Sequence, residues 1–193
     1  MLRIGVLALQ GGFIEHYNML KTIDNINPIL IKEDKDFEKI NGLIIPGGES
    51  TTLIKMIKKY SLDKSIKELS DKKIPIWGTC AGMILLGKNI KNSNQETLGI
   101  IDYETERNAF GSQLDSFITN KKIEKVSEKE IPLIFIRAPI ISNLNPNIDI
   151  LAEYDEKIIA VEKDNILATS FHPELSEDNT FHKYFVEKCN FEG

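Results

Sequence analysis

The sequence predicts an α/β fold, a mostly parallel sheet flanked by helices with antiparallel additions, in one domain across residues 1–193. Two patterns predict it. In the first half, short apolar runs alternate with stretches of helical periodicity, the arrangement of strand–helix units that build a parallel sheet covered on both faces. In the second half, strand-like segments follow one another with little helix between them, which suits antiparallel additions. A chain of 193 residues buries one good core and is short for two.

Taken in order, Leu2 to Leu9 reads as a buried strand, and Gly11-Gly12 as the turn opening a helix from about Phe13 to Ile23. Pro28 to Ile31 is a short strand, followed by the charged connector Lys32 to Lys39. Gly42-Leu43-Ile44-Ile45 is the next strand and ends in Pro46-Gly47-Gly48-Glu49-Ser50. Helical patterns through about Thr51 to Lys59 and Leu62 to Asp71 lead to the apolar run Ile74 to Trp77. Further on, Leu133-Ile134-Phe135-Ile136 and Ile158-Ile159-Ala160-Val161 read as strands that join the sheet as antiparallel additions, and Glu124 to Glu130 as a charged loop or hairpin. From about Asn179 to Cys189, Phe181, Phe185 and Cys189 recur every four residues, which places Cys189 on the buried face of a final helix.

Composition excludes several classes. Apolar residues make up 41% and charged residues 27%, ordinary for a globular protein, and the net charge of -5 argues against a nucleic-acid partner. The Lys72-Lys73 and Lys121-Lys122 pairs sit near acidic residues and read as solvated faces. Two cysteines make no disulfide framework. No apolar run approaches the roughly 20 residues that cross a bilayer, and the first residues are interrupted too soon to form a signal sequence. The expectation is a cytoplasmic protein with no membrane contact.

Gly78-Thr79-Cys80-Ala81-Gly82, between an apolar strand and an apolar helix, is the cysteine counterpart of a serine nucleophile elbow. The plain alternative is a buried cysteine acting as a small hydrophobe, but packing alone does not require glycine on both sides. Open α/β sheets gather ligands at the carboxyl ends of their strands. Three such ends carry Gln10-Gly11-Gly12, Gly47-Gly48-Glu49-Ser50 and Gly78-Thr79-Cys80, and a fourth carries Ser170-Phe171-His172-Pro173-Glu174. A cysteine nucleophile needs a base with an orienting partner. Of the three histidines, His16 and His182 fall within helices and read as surface or internally satisfied residues. His172 differs: in an extended chain it projects to the same side as Glu174, and Pro173 keeps it from helical geometry, while His172-Pro173-Glu174 by itself reads equally as a turn. Gly47 and Gly48 offer backbone N–H groups to a developing oxyanion. Arg107 and Arg137 stand in low-charge settings and suit a carboxylate, or else serve surface ion pairs. No His, Cys, Asp and Glu spacing suits zinc, and neither a metal nor a cofactor is expected.

The order of Gly5-Val6-Leu7-Ala8-Leu9-Gln10-Gly11, Pro46-Gly47-Gly48-Glu49-Ser50-Thr51-Thr52, Gly78-Thr79-Cys80-Ala81-Gly82-Met83, Glu106-Arg107-Asn108, Phe135-Ile136-Arg137-Ala138-Pro139 and Ser170-Phe171-His172-Pro173-Glu174-Leu175 resembles the class I glutamine amidotransferases, in their branch of pyridoxal 5'-phosphate synthase glutaminases. The resemblance implies a flavodoxin-like sheet and hydrolysis of L-glutamine to glutamate and ammonia. It makes Cys80 the nucleophile, His172 the proton carrier and Glu174 its orienting group. It assigns glutamine binding to Gly48, Glu49, Ser50, Arg107, Ile136 and Arg137, and adds Gln10 to Gly47 and Gly48 at the oxyanion hole. It further implies a partner, a synthase subunit of (β/α)8-barrel type in a large hetero-oligomer. Ser112 departs from the arginine common among relatives.

Three other readings compete. A γ-glutamyl or DJ-1-like cysteine hydrolase would act on peptides or small electrophiles and ignore free glutamine. An amidotransferase subunit of another pathway is disfavoured by Glu49-Ser50-Thr51 after the paired glycines. A non-catalytic binding module fits poorly with Cys80, His172 and Glu174 all present.

Overall fold

The structure is a computed structural model that describes residues 1–110 and 115–190; Ser112 lies outside the described residues. The first half runs β1 (Leu2–Leu7), α1 (Phe13–Lys21), β2 (Ile26–Ile31), β3 (Gly42–Ile45), α2 (Ser50–Lys59), α3 (Leu62–Asp71), β4 (Ile76–Thr79) and α4 (Ala81–Leu86). The second runs β5 (Gly87–Ile90), β6 (Ile101–Glu106), β7 (Ser116–Lys122), β8 (Glu130–Ile136), β9 (Ile140–Leu144), β10 (Asp149–Tyr154), β11 (Lys157–Lys163), β12 (Ile166–Thr169) and α5 (Thr180–Cys189).

Ten strands form one sheet, in the order β2-β1-β3-β4-β12-β11-β9-β6-β5, with β10 paired to β11. The five from β2 to β12 run parallel. Beyond them β11, β9 and β6 alternate in direction. The expected mixed sheet is therefore present. Its parallel strands carry four adjacent carboxyl ends, those of β1, β3, β4 and β12, along one edge of the molecule.

Side chains that alternate along each central strand divide the core in two. Leu43, Ile45, Ile76 and Ile166 pack under α2 and α3 with Leu53, Ile57, Leu62 and Ile66. Ile44, Trp77 and Leu167 pack under α1 and α5 with Leu20, Phe181 and Phe185. Both faces of β3, β4 and β12 are dry, which is why they read as continuous apolar runs rather than alternating ones. Cys189 is buried on α5, as its spacing predicts.

One strand goes elsewhere. β8 does not extend the main sheet but pairs with β7 in a separate antiparallel hairpin. Phe117 and Phe135 stack across it at 4.6 Å, and Phe135 meets Phe171 edge-on at 5.9 Å, so the hairpin packs against the α5 side of the core. An apolar run announces a strand, but the partner it pairs with is a long-range property that periodicity does not carry. The nucleophile strand also begins later than its apolar run, at Ile76, and carries on through Gly78 and Thr79.

Candidate active site

β4 leads directly into Cys80, whose N–H donates to the Thr169 carbonyl on neighbouring β12 at 2.8 Å. Cys80 sits at φ 48° and ψ -103°, a conformation that residues with a β-carbon adopt only where the surroundings enforce it. The flanking glycines provide that enforcement. A β-carbon on Gly78 would lie 2.5 Å from the backbone of Gly82, and one on Gly82 would run into the Ile45 carbonyl oxygen. Strand, turn and helix are in backbone contact here, the strained elbow that the Gly-x-Cys-x-Gly pattern predicts.

His172 enters from the end of β12, fixed by its N–H donating to the Ile134 carbonyl of the hairpin at 2.8 Å. Its Nδ1 meets Glu174 Oε1 at 2.7 Å. Of the two readings, the extended chain and the turn, the structure takes the turn. Pro173–Leu175 forms a single 3-10 turn with proline at its first position, where the ring's fixed φ starts the turn, and His172 precedes it at φ -112°. Burial opposes a charge on the His172 ring, but the Cys80 sulfur on one side and the Glu174 carboxylate on the other outweigh it and hold the imidazole up at about 10. Burial likewise disfavours charge on Glu174, but the hydrogen bond and charge of His172 outweigh it and hold the carboxyl below the usual range. Gly47 makes the meeting of sulfur and ring possible: a β-carbon there would lie 2.5 Å from His172 Cε1 and 3.3 Å from Cys80 Cβ.

His16 and His182 are not surface residues; both are fully buried. His16 Nδ1 meets His182 Nε2 at 2.9 Å, and His16 Nε2 lies 3.2 Å from Thr79 Oγ1 and 3.3 Å from Glu174 Oε2. Both rings pack on the Trp77 indole, at 5.5 and 5.0 Å between centroids. Burial pushes the proton affinity of both down. Helical periodicity hides such residues because a polar side chain on the buried face breaks the pattern without naming its partner.

The Gly47–Gly48 turn divides its labour. Gly47 N–H donates to Thr79 Oγ1 at 3.0 Å, so it is taken and the expectation of an oxyanion donor at Gly47 moves to its neighbour. Among the described residues Gly48 N–H donates to none. Gln10 lies across this turn: its Oε1 accepts from Glu49 N–H at 3.0 Å, and a β-carbon on Gly48 would strike its amide. Ala81, directly after the nucleophile, supplies a second N–H at the start of α4, a donor that the elbow motif itself signals.

These groups open into a cavity of about 660 Å³, also lined by Glu49, Ser50, Arg107, Ile136 and Arg137. Arg107 Nη2 donates to Ser50 Oγ at 3.1 Å and also to Gln95 Oε1. Gln95 Oε1 further accepts from Thr51 Oγ1 at 2.7 Å, so an amide that sequence reasoning missed pins the guanidinium to the start of α2. Glu49 is committed differently from expectation, as the N-cap of α2, accepting from the N–H groups of Thr51 at 2.9 Å and Thr52 at 2.7 Å. Partial burial raises its proton affinity, but these bonds and the Thr52 hydroxyl outweigh it and hold the carboxyl down at about 2. Ile136 brings its carbonyl to 4.0 Å from the Cys80 sulfur, and Arg137 follows at φ 45° with its N–H donating to the Asp115 carbonyl at 2.6 Å. The arrangement joins a thiol, a carboxylate-bound imidazole and two backbone N–H groups to a pocket with cationic and anionic walls, groups of the kind that acyl transfer from a charged small molecule needs.

The model of the SNO glutamine amidotransferase family matches residues 6–191. The chain is 51% identical over 185 residues to the pyridoxal 5'-phosphate synthase subunit PdxT of Thermoanaerobacter sp. strain X514, covering 96% of this chain and 98% of that one. It is 47% identical over 188 residues to the subunit of the same name from Clostridium botulinum strain Loch Maree, covering 97% of both. A crystal structure titled as a glutamine amidotransferase superposes with a TM-score of 0.91 at 37% identity, over 97% of this chain and 99% of that one.

Proposed function

The chain belongs to the SNO glutamine amidotransferase family, and from that premise we propose how it works. It hydrolyses L-glutamine to L-glutamate and ammonia as the glutaminase subunit of pyridoxal 5'-phosphate synthase, paired with a synthase subunit that consumes the ammonia. We take the whole chain, residues 1–193, as one glutaminase domain acting in the cytoplasm; among the described residues no helix is long and apolar enough to cross a membrane. The partner is of (β/α)8-barrel type and assembles with this chain into a large hetero-oligomer.

One observation carries the reading: the carboxyl ends of β1, β3, β4 and β12 bring Gln10, Gly48, Cys80 and His172 to one rim. Cys80 Sγ, whose proton rests on His172 Nε2, attacks the side-chain amide carbon of glutamine. The negative oxygen that forms is received by the N–H groups of Gly48 and Ala81, with Gln10 beside them. His172 then returns its proton to the amide nitrogen, the C–N bond breaks and ammonia leaves a γ-glutamyl thioester. Water, relieved of a proton by the same imidazole, opens the thioester to glutamate and the free thiol. Throughout, Glu174 fixes the ring through Nδ1 and balances its charge. Arg107 and Arg137 hold the substrate carboxylate, Glu49 its ammonium group through the carboxylate lone pairs that capping leaves, and Ser50 and Ile136 complete the walls.

The deciding measurement is glutamate released from glutamine, with and without the synthase subunit, for the native chain and for Cys80→Ser. Release in the complex that the substitution abolishes is expected; undiminished release would remove Cys80 as nucleophile.

A further inference from the structure

Behind the triad, away from the cavity, lies polar machinery that the reaction steps above do not use. His182 on α5, His16 on α1 and Thr79 at the end of β4 make it up, one contiguous buried group that reaches Glu174 of the triad. We propose that His16 is a positioning residue: its Nε2–H, fixed from behind by His182, steadies Glu174 on one side and Thr79 on the other. The inference rests on the Cys80–His172–Glu174 reading of the site and extends it by one layer.

Proton bookkeeping assigns the direction of this chain of groups. Each neutral imidazole carries one N–H. His16 Nε2 faces the Glu174 carboxylate oxygen Oε2 at 3.3 Å, so a bare nitrogen there would set a lone pair against an anion. The hydrogen therefore sits on Nε2, and Nδ1 is left as an acceptor. The Nδ1 contact at 2.9 Å then requires His182 to donate from its own Nε2. That leaves a bare Nδ1 on His182, which is a buried atom without a partner among the described residues. Burial keeps both rings neutral, as this arrangement requires.

Two consequences follow for the site. Glu174 uses Oε1 on His172, while its Oε2 is buried without a hydrogen bond among the described residues, and His16 is the polar group that faces it. Without His16 the carboxylate loses a reason to keep its plane. Thr79 Oγ1, 3.2 Å from the same Nε2, accepts the Gly47 N–H, and the orientation of that peptide sets where Gly48 aims its own. One ring edge thus touches both the proton-handling side and the oxyanion side.

The competing view is that the two rings merely fill space beneath Trp77, against which they pack. Three proteins separate the two in complex with the synthase subunit: the native chain, His16→Leu and His16→Gln. Leucine keeps bulk without an N–H; glutamine restores a donor near the Nε2 position. Losing the polar N–H edge that faces the buried Glu174 carboxylate and meets Thr79 Oγ1 predicts kcat lower by roughly 10- to 100-fold in His16→Leu, with KM for glutamine little changed and most of the loss recovered in His16→Gln. The pH profile of Cys80 alkylation by iodoacetamide supplies a second readout: its imidazole-dependent inflection is expected to move to lower pH in His16→Leu and to return in His16→Gln. Native kcat and an unchanged profile in His16→Leu overturn the proposal. Equal losses in both variants also overturn it, since ring shape rather than the N–H would then matter. If the native complex releases no glutamate, the glutaminase reading falls, while the alkylation profile still decides the role of His16.

Discussion

The His172 imidazole and the Glu174 carboxylate meet at 2.7 Å with only Pro173 between them, because the proline starts a 3-10 turn that folds the carboxylate back beneath the ring. The pair titrates in opposite senses. His172 is held up at about 10 against an unfolded value of about 6.5, so its contribution to stability is complete below about pH 6.5 and is lost as pH rises toward 10. Glu174 is held below its unfolded value of about 4.3, so its contribution is complete above that pH and is lost as pH falls through the folded value.

Glu174→Gln removes the charge that supports the imidazolium. The melting temperature of the variant is expected to start falling at lower pH on the basic side than that of the native chain, as measured by circular dichroism. Its kcat in the complex is expected to drop by roughly 10²- to 10⁴-fold, by analogy with the loss of the carboxylate in other nucleophile–histidine–acid triads. A basic limb that stays in place would separate Glu174 from the high proton affinity of His172.

Cys80→Ala should abolish glutamine-dependent synthesis in the complex while ammonium salts restore it, because ammonia production and ammonia use reside in different subunits. Cys80→Gly is expected to be equally inactive yet more stable than Cys80→Ala by about 1 kcal/mol, since glycine relieves the positive φ at the elbow. Chemical denaturation of the two variants measures the difference.

Gly47→Ala places a methyl group 2.5 Å from His172 Cε1. The ring or the turn must shift, at a cost of about 1–3 kcal/mol typical of overpacking. The expected result is a fall in kcat much larger than the accompanying change in KM. Near-native kcat would show that the turn yields without moving the imidazole.

Gln10→Ala removes the amide that lies across Gly48. Turnover in the complex should suffer more than glutamine affinity, a contrast that single-turnover kinetics beside equilibrium binding resolves. Unchanged turnover would take Gln10 out of the oxyanion site.

Arg107→Lys keeps the charge but loses the planar guanidinium that bonds Ser50 and Gln95 and, in the proposed reading, would grip the substrate carboxylate. KM for glutamine is expected to rise about tenfold, equivalent to about 1.4 kcal/mol, with kcat less affected. Gln95→Ala should move KM in the same direction by releasing the guanidinium, which initial-rate measurements test.

Much of this architecture was legible in the residues, for identifiable reasons. Gly78, Cys80 and Gly82 announce the elbow because only small residues allow strand, turn and helix to touch. Leu43, Ile44 and Ile45 announce a doubly covered strand because both of its faces are dry. What stayed hidden depends on contacts between distant residues. Thr79 takes the Gly47 N–H across 32 positions, and nothing local marks it for that task. Gln95 acquires its role only when Arg107 and Ser50 converge on it, and His16 only when α5 brings His182 alongside. Glu49 reads from the resemblance as a wall of the pocket, and the geometry makes it the cap of α2 as well.

Trp77, the sole tryptophan of the chain, lies at full burial three positions before Cys80, with two imidazoles packed edge-on to its indole. Its ultraviolet emission is therefore a label already installed under the reacting sulfur. Ligand entry, subunit docking or protonation of either packed imidazole that disturbs this layer will register as a change in intensity or wavelength, with no dye attached and no background from a second indole of this chain.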